Sequence, residues 1–511
     1  MKNKSFLKSS IVVIFLAIIV KIFGLIKEMI FAYIFGVNML SDAFSLTQSI
    51  INMIYLIIST YIISSVPTIY VRCKEEGKTT NANLFLSNIL NIILFVCIIT
   101  GVLLSVFSSH IIEFMAPDYN ISQLKLNSFM LKSTSLSLLF LSVSYLFSSY
   151  LNINNEYNIP QVMTLPGTLI FGIICLLLGK KHGLSALIMG QLLFSLFQVL
   201  TQLPFVLKTF KYKFVLNFND PLLKKSIILA LPSIIAIVIG NVSLIINKVL
   251  GTQMGIGAIA SFDYANKLIN LIIGVLILPI ETILYSEVSN QLAKNQKKTV
   301  SKKINQGIEM INIILIPAVF LVLLVAESII SIIYQRGSFD THATLNTALA
   351  LRGLIIGMIP LSIFNVLSKV SYSLQKTSYS MISGTLGIVC NIITCLLLYK
   401  KYSLLALALG TSIGYLTSAL TLFYLLKKYY NFINLKNSMI EILKMCIAAT
   451  VAVYAAYKGL QNFPQTSNIR IVLIACIIGL LVYIFCAILL NINLMKKGTS
   501  YIINQIKRKN K

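Results

Sequence analysis

Charged residues make up only 11% of this 511-residue chain. A soluble chain carries about 25%, so the shortage excludes an ordinary water-soluble domain. Acidic residues are few, 15 against 42 Lys and Arg. Histidine occurs three times (His110, His182, His342), always outside the apolar runs. No His–Asp–Ser spacing, GxGxxG motif, P-loop or metal-ligand spacing is present. These absences argue against an enzyme, against a resident cofactor or metal, and against transport driven by ATP on this chain. The eight cysteines are scattered, and seven fall inside apolar runs (Cys97, Cys175, Cys390, Cys395, Cys446, Cys476, Cys486). They read as small apolar core residues and not as a redox set.

What the chain has instead is apolar length: 57% hydrophobic residues and a mean hydropathy of +0.87. Runs of about twenty apolar residues recur from end to end, each long enough to cross about 30 Å of hydrocarbon. Only helices or closed barrels satisfy their backbone polar groups in lipid. The runs lack the apolar–polar alternation of barrel strands, so the expected fold is an all-α integral membrane protein. About fourteen spans are expected, near 11–36, 43–68, 84–108, 131–151, 160–179, 184–206, 226–250, 258–288, 308–332, 346–372, 379–399, 403–426, 440–458 and 470–493. The first resembles a signal peptide, but Lys21 and Lys27 interrupt it and no small-residue cleavage site follows; it reads as a retained helix.

The net charge of +27 would suggest nucleic acid in a soluble chain. Here the charges sit in short loops, the pattern of the positive-inside rule, and no nucleic-acid partner is expected. With the N-terminus in the cytoplasm, 26 of the 42 basic residues fall on cytoplasmic segments. An even span number then places the C-terminus there too, in the bacterial cytoplasmic membrane. Two outer pairs, Lys180–Lys181 and Lys400–Lys401, run against the rule.

The charge pattern repeats. The loops after helices 2 and 8 are both basic, and the entries to those helices, Gly36–Asn52 and Gly255–Asn270, align with one gap. This suggests an N-lobe (1–215), a C-lobe (216–430) and two extra helices with a basic tail (431–511). Paired repeats are a transporter signature.

A charge at mid-bilayer costs about 2.5–3.5 kcal/mol on insertion scales, so intramembrane polar residues need a cavity or a partner. Helix 1 carries Lys21, Lys27 and Glu28. Helix 2 carries Asp42, Ser45, Ser49 and Asn52 in one stripe. Helix 7 carries Asn241, Asn247 and Lys248. Helix 8 carries Asp263, Asn266, Lys267 and Asn270, with Glu281 near the same face and a kink expected at Pro279. Either these groups line a central water-filled cavity, or they bind helices to one another; Lys369 and Lys444 read more simply as snorkelling residues. The cavity reading favours Lys over carboxylate, which suits an anionic amphiphile such as a lipid pyrophosphate. Lysine binds phosphate as a point charge.

The stretch Lys21–Asn52 (KIFGLIKEMIFAYIFGVNMLSDAFSLTQSIIN) resembles the start of the MurJ (MviN) family of lipid II flippases. The matching features are Lys21, Gly24, Lys27–Glu28, Phe35–Gly36 and Asp42–Ala43–Phe44. Ser243–Asn247, Tyr264–Ala265 with Lys267–Leu268, Tyr334–Gly337 with Phe339, and Tyr372–Ser373 add further family-like positions in order. The resemblance implies two six-helix lobes around a V-shaped cavity, alternating access, and helices 13 and 14 forming a groove for a polyprenyl tail. It implies pyrophosphate binding by Lys21, Lys27 and Lys267, where the family usually has Arg, and gating or pairing by Glu28 and Asp42. Lys248 joins the cationic set, and Asn52, Asn241, Asp263, Asn266 and Asn270 the polar lining. Three features depart from the family: Tyr55 replaces an Arg, Asn266 and Asn270 replace acids, and helix 11 offers Asn391 but no carboxylate for the family's sodium site.

The expected function is therefore translocation of lipid II from inner to outer leaflet. The expected partners are the lipid-linked glycan and membrane phospholipids, for a monomer linked functionally to cell-wall synthases. Another undecaprenyl-linked oligosaccharide (capsule, teichoic or O-antigen unit) is the alternative. A drug/cation antiporter would need net acid in the cavity, and a glycan polymerase or acyltransferase a large outer catalytic loop. A non-transporting scaffold or regulator is a further alternative.

Overall fold

The computed structural model describes residues 2–77, 79–294, 296–430, 433–462 and 467–496. Lys78 and the basic tail beyond residue 496 lie outside the described residues, as do the side chains of Lys2, Lys4 and Lys8.

Among the described residues the regular structure is all helical. The chain runs through α1 (Lys2–Phe35), α2 (Met39–Glu75), α3 (Thr79–Val106), α4 (Ser108–Met115), α5 (Ile121–Thr134), α6 (Ser137–Ile153), α7 (Asn158–Val162), α8 (Thr164–Thr209) and α9 (Pro221–Thr252). It continues through α10 (Ala258–Ile272), a π-helical turn (Ile273–Ile277), α11 (Leu278–Ala293), α12 (Lys297–Tyr334), α13 (Thr341–Ile356), α14 (Met358–Ser373), α15 (Thr377–Tyr402), α16 (Leu404–Tyr429), α17 (Lys436–Gln461) and α18 (Asn468–Leu489). Among the described residues, ten helices are long and apolar enough to cross a membrane, or up to twelve if two bent pairs each count as one span. One of the ten runs over 52 residues, Asn158–Thr209. A straight helix of that length would rise about 78 Å at 1.5 Å per residue, against about 30 Å of hydrocarbon. It is interrupted at Gly183 (φ 31°, ψ −96°), between the segments 160–179 and 184–206 that the sequence separates.

The contacts divide the chain into two compact units. One holds the described residues up to Ala260 together with Arg336–Asp340; the other holds Ser261–Gln335 and the described residues from Thr341 onward. The first unit's core gathers Leu46, Ile51, Ile62 and Val66 of α2 with Phe85 and Ile89 of α3 and Leu138 and Leu146 of α6. In the second unit, α12 packs on α17 and α18 through Ile316, Met445, Ala448, Ala449 and Tyr483. Small residues on α17 let the helix backbones approach closely, as helix packing in lipid requires. Exposed apolar rows such as Phe95, Val102 and Val106 on α3 and Leu473, Ile477 and Leu481 on α18 suit contact with acyl chains.

Many serine and threonine hydroxyls within the helices are satisfied by a carbonyl one turn back, though others, such as those of Ser380 and Ser383, are buried without a hydrogen-bond partner. Thr47 donates to Ala43 O at 2.8 Å and Ser49 to Ser45 O at 2.7 Å, so these side chains add little unpaired polarity in lipid. The start of α2 is fixed by an Asn38 capping box. The Asn38 Oδ1 accepts from Leu40 N at 2.9 Å and Ser41 N at 3.1 Å, while Ser41 Oγ accepts from Asn38 N at 2.8 Å. Gly36 precedes it with φ 60°, and a Cβ there would run into the Ser338 carbonyl, so only glycine fits.

Turns recur at a fixed interval. Asn155 (φ 66°) and Gln375 (φ 57°) stand 220 positions apart, as do Gly183 (φ 31°) and Ser403 (φ 46°). The first two close equivalent helix ends, through Glu156 N to Leu151 O and Lys376 N to Ser371 O, both at 2.9 Å. The exceptional lysine pairs sit immediately before the second two. Lys400 and Lys401 occupy the last turn of α15, and Lys180–Lys181 precede the break at Gly183. Cations favour the carbonyl end of a helix, which explains the pairs without reference to membrane sidedness. Distortion expected at Pro279 takes the form of the π-helical turn at Ile273–Ile277. The proline ring crowds the carbonyl four residues back and offers no N–H, and widening the turn before it relieves both.

Candidate functional site

In the first unit the expected pyrophosphate ligands do not behave alike. Lys21 is exposed. Lys27 is held on three sides: its Nζ lies 3.0 Å from Glu28 Oε1, and 5.2 Å and 5.4 Å from the ring centroids of Phe171 and Phe194 on α8. Glu28 thus pairs with its chain neighbour Lys27. Phe171 belongs to an aromatic cluster with Phe31 and Phe44, at centroid distances of 6.4 Å and 5.9 Å. Two ring faces and one carboxylate stabilise the ammonium while leaving it part-exposed, with 23% of the side-chain surface accessible. Such a cation can exchange a carboxylate for a phosphate. The two phenylalanines come from a helix more than 140 residues away in sequence, and nothing local in helix 1 signals them.

Asp42 has a different role from the rest of the stripe. It is 5% exposed, and its carboxylate accepts from Gly257 N and, at 2.8 Å, from Ala260 N. It thus caps the first turn of α10 from the start of α2, satisfying N–H groups that a helix N-terminus leaves unpaired. Ser45 is buried, Ser49 part-buried and Asn52 exposed, so the stripe runs from a capped end to an open one. Nearby, Ser338 ties the segment Arg336–Asp340 to the end of α1, donating through its N to Tyr33 O and through its Oγ to Ile34 O, both at 2.9 Å. Burial raises the pKa of Tyr119, in the loop before α5, and the Asp42 carboxylate adds to the effect. On α9, Asn247 and Lys248 are buried, and Asn241 donates to its own helix, to Ile237 O, at 2.7 Å. Tyr55 packs edge-on against Tyr145 at 5.9 Å.

The second unit holds the remaining residues of the expected set. Lys267 lies 5.3 Å from the Tyr264 ring centroid, and Tyr264, fully buried, packs on Tyr334 at 4.9 Å. Asp263 and Asn266 are part-buried and Asn270 exposed, one to two turns along the same helix. Lys444 pairs with Glu441 at 2.9 Å, and Glu441 also accepts from Asn493 N at 2.9 Å, a structural arrangement at the end of α18. On α15, Asn391 is buried and donates to Thr411 Oγ1 at 3.2 Å. With amide and thiol groups and no carboxylate on that helix, its residues do not fit a sodium site of the family type. Among the described residues, no group of three His, Cys, Asp or Glu is placed to hold a metal ion.

These features define a multi-pass, all-helical membrane protein with the fold of the MOP-superfamily transporters. It superposes on an inward-facing multidrug-resistance MATE family transporter of that superfamily with a TM-score of 0.71 at 12% identity, covering 83% of this chain and 98% of that one. The superposition on a lipid II flippase MurJ in an inward closed conformation has a TM-score of 0.80 at 21% identity, over 93% and 98% of the two chains. The family model for lipid II flippase MurJ matches residues 31–489, and the chain belongs to that family. Curated relatives include probable lipid II flippases of Buchnera aphidicola subsp. Acyrthosiphon pisum, 26% identical over 87% of this chain and 88% of its own length, and of Borreliella burgdorferi, 23% identical over 95% and 97%.

Proposed function

We propose that this chain moves lipid II, the undecaprenyl-pyrophosphate-linked peptidoglycan precursor, from the inner to the outer leaflet of the bacterial cytoplasmic membrane. Family membership over residues 31–489 supports the substrate. The observation that carries the mechanism is the Lys27 ammonium, held by Phe171, Phe194 and Glu28. An arriving pyrophosphate displaces Glu28 from Lys27 and recruits Lys21, with Lys248 adding positive charge in the same unit; Lys267 is the corresponding cation of the second unit. The architecture we propose is fourteen spans with both termini cytoplasmic, in two six-helix lobes that alternate access. The turns repeated at an interval of 220 residues support the lobes. Substrate shifts the conformational equilibrium only by its difference in affinity for the two states. A membrane potential of 100 mV contributes about 2.3 kcal/mol per charge moved. The chain works as a monomer alongside the cell-wall synthases that consume its product.

One feature favours a second reading, a flippase for another undecaprenyl-linked glycan. Tyr55, Asn266 and Asn270 stand where the family resemblance implies an Arg and two acids. Depleting the resident lipid II flippase of a bacterial host, expressing this chain and measuring lipid II in the outer leaflet separates the two. Recovery of outer-leaflet lipid II and of growth establishes the substrate. Insertion without recovery points to capsule or teichoic precursors.

A further inference from the structure

Glu281 is the most enclosed acid in the second unit. It lies in the first turn of α11, two residues after Pro279 and four after the π-helical turn. Its side chain is 2% exposed, and its Oε1 has no hydrogen-bond partner. The carboxyl group is nevertheless not isolated: Asn365 of α14 hydrogen-bonds to it, and Lys369, one turn further along α14, acts on it through its charge. The two helices are tied together further along by Ser289 and Ser373, whose hydroxyls lie 2.9 Å apart. A buried carboxylate oxygen without a donor is costly in a low-dielectric site, and structural carboxylates such as Glu441 do not show it, since both Glu441 oxygens are engaged.

Several of the other charged groups on the elements around α11 are committed elsewhere, among them Glu327 of α12, which pairs with Arg352 at 2.9 Å. On α12, Glu309 accepts from Ser438, and Lys303 pairs with Glu287 of α11 itself at 2.8 Å. Lys297, Lys298 and Lys302 lie in the first two turns of α12, and Lys267 and Asp263 lie back along α10. The π-helical turn supplies no titratable side chain. On α14, Tyr372 lies under Lys369, with Nζ 5.9 Å from the ring centroid.

We propose that Glu281 is a proton-binding site that couples transport to a proton gradient, an inference that rests on the flippase reading. A proton from the aqueous phase adds to Oε1 and forms the O–H bond. The negative charge disappears, and with it the attraction between the carboxylate and Lys369. Release to the opposite side restores the carboxylate. Among the described residues no second or third carboxylate, His or Cys joins Glu281 to hold a metal ion, and a proton needs only the one oxygen. The π-helical turn and Pro279 put a deformable stretch of backbone directly before the site. A proton bound more tightly in one conformation than the other then biases the exchange between them.

Two measurements on the full-length protein in liposomes test this. The first is an infrared difference titration against pH. It is expected to show the carbonyl band of a protonated carboxylic acid in the wild type, shifted in Glu281→Asp and lost in Glu281→Gln. The absence of any such band across the titration, or a band unchanged in Glu281→Gln, overturns the site. The second is the equilibrium distribution of lipid II between leaflets under an imposed pH gradient. One coupled proton shifts the ratio about tenfold per pH unit, and Glu281→Gln removes the shift. A ratio that follows a sodium gradient and ignores pH overturns the coupling while leaving lipid II transport intact. If wild-type vesicles do not move lipid II, the flippase reading falls, and the infrared band alone decides whether Glu281 binds the proton.

Discussion

Replacing Asp42 tests how the start of α2 holds the start of α10. The carboxylate accepts from Gly257 N and Ala260 N, and at 5% exposure water cannot replace it freely. Hydrogen bonds to a charged group contribute about 1.5–3 kcal/mol each, so Asp42→Ala is expected to cost about 3–5 kcal/mol at this contact. Asp42→Asn keeps one acceptor oxygen but turns an N–H₂ group toward the helix end, and is expected to cost about half of that. The readout is amide hydrogen exchange in peptides covering residues 255–262. At 1.4 kcal/mol per factor of ten, the alanine variant loses about a hundredfold or more in protection, and the asparagine variant about tenfold. Peptides from α17 and α18, in the other unit, keep their rates. Unchanged protection of residues 255–262 in Asp42→Ala would refute the capping role and return Asp42 to the open polar stripe.

Three further outcomes follow from the same geometry. Lys27→Ala is expected to weaken binding of an undecaprenyl-pyrophosphate lipid by about ten- to a hundredfold, the loss of one charge-assisted contact, whereas Lys27→Arg retains most of it; direct binding in detergent measures both. Gly36→Ala forces a side chain into a left-handed conformation, costing about 1–3 kcal/mol before its overlap with the Ser338 carbonyl is added, and lowers the thermal unfolding midpoint. Glu441→Ala strands the Asn493 N–H and costs about 1–3 kcal/mol. The broken Lys444 pair adds little because that lysine is 31% exposed, so Lys444→Met unfolds close to the wild-type midpoint.

Much of the fold was legible because lipid imposes a one-dimensional rule. A run of apolar residues must become a helix, and among the described residues the apolar runs do so, with ten helices long and apolar enough to cross a membrane, or up to twelve if each bent pair is one span. The site was less legible, since its partners come from distant helices. Lys27 was nameable from helix 1 and the family resemblance, but Phe171 and Phe194 read as ordinary span residues. Asp42 belonged to a periodic stripe, and nothing local distinguished a stripe lining water from one whose first member caps another helix. The lysine pairs looked anomalous under a charge-sidedness rule, and became intelligible once Gly183 and Ser403 showed them at helix ends. Glu281 was placed near a polar face by counting residues, while its burial and its unpartnered oxygen depend on α14, almost ninety residues later.

The central claim is that this chain moves lipid II. The most direct test reconstitutes the purified protein into vesicles carrying labelled lipid II in the inner leaflet and follows its arrival at the outer surface. The account predicts arrival faster than in protein-free vesicles, and loss of that gain in Lys27→Ala. Arrival in wild-type vesicles no faster than without protein would contradict it.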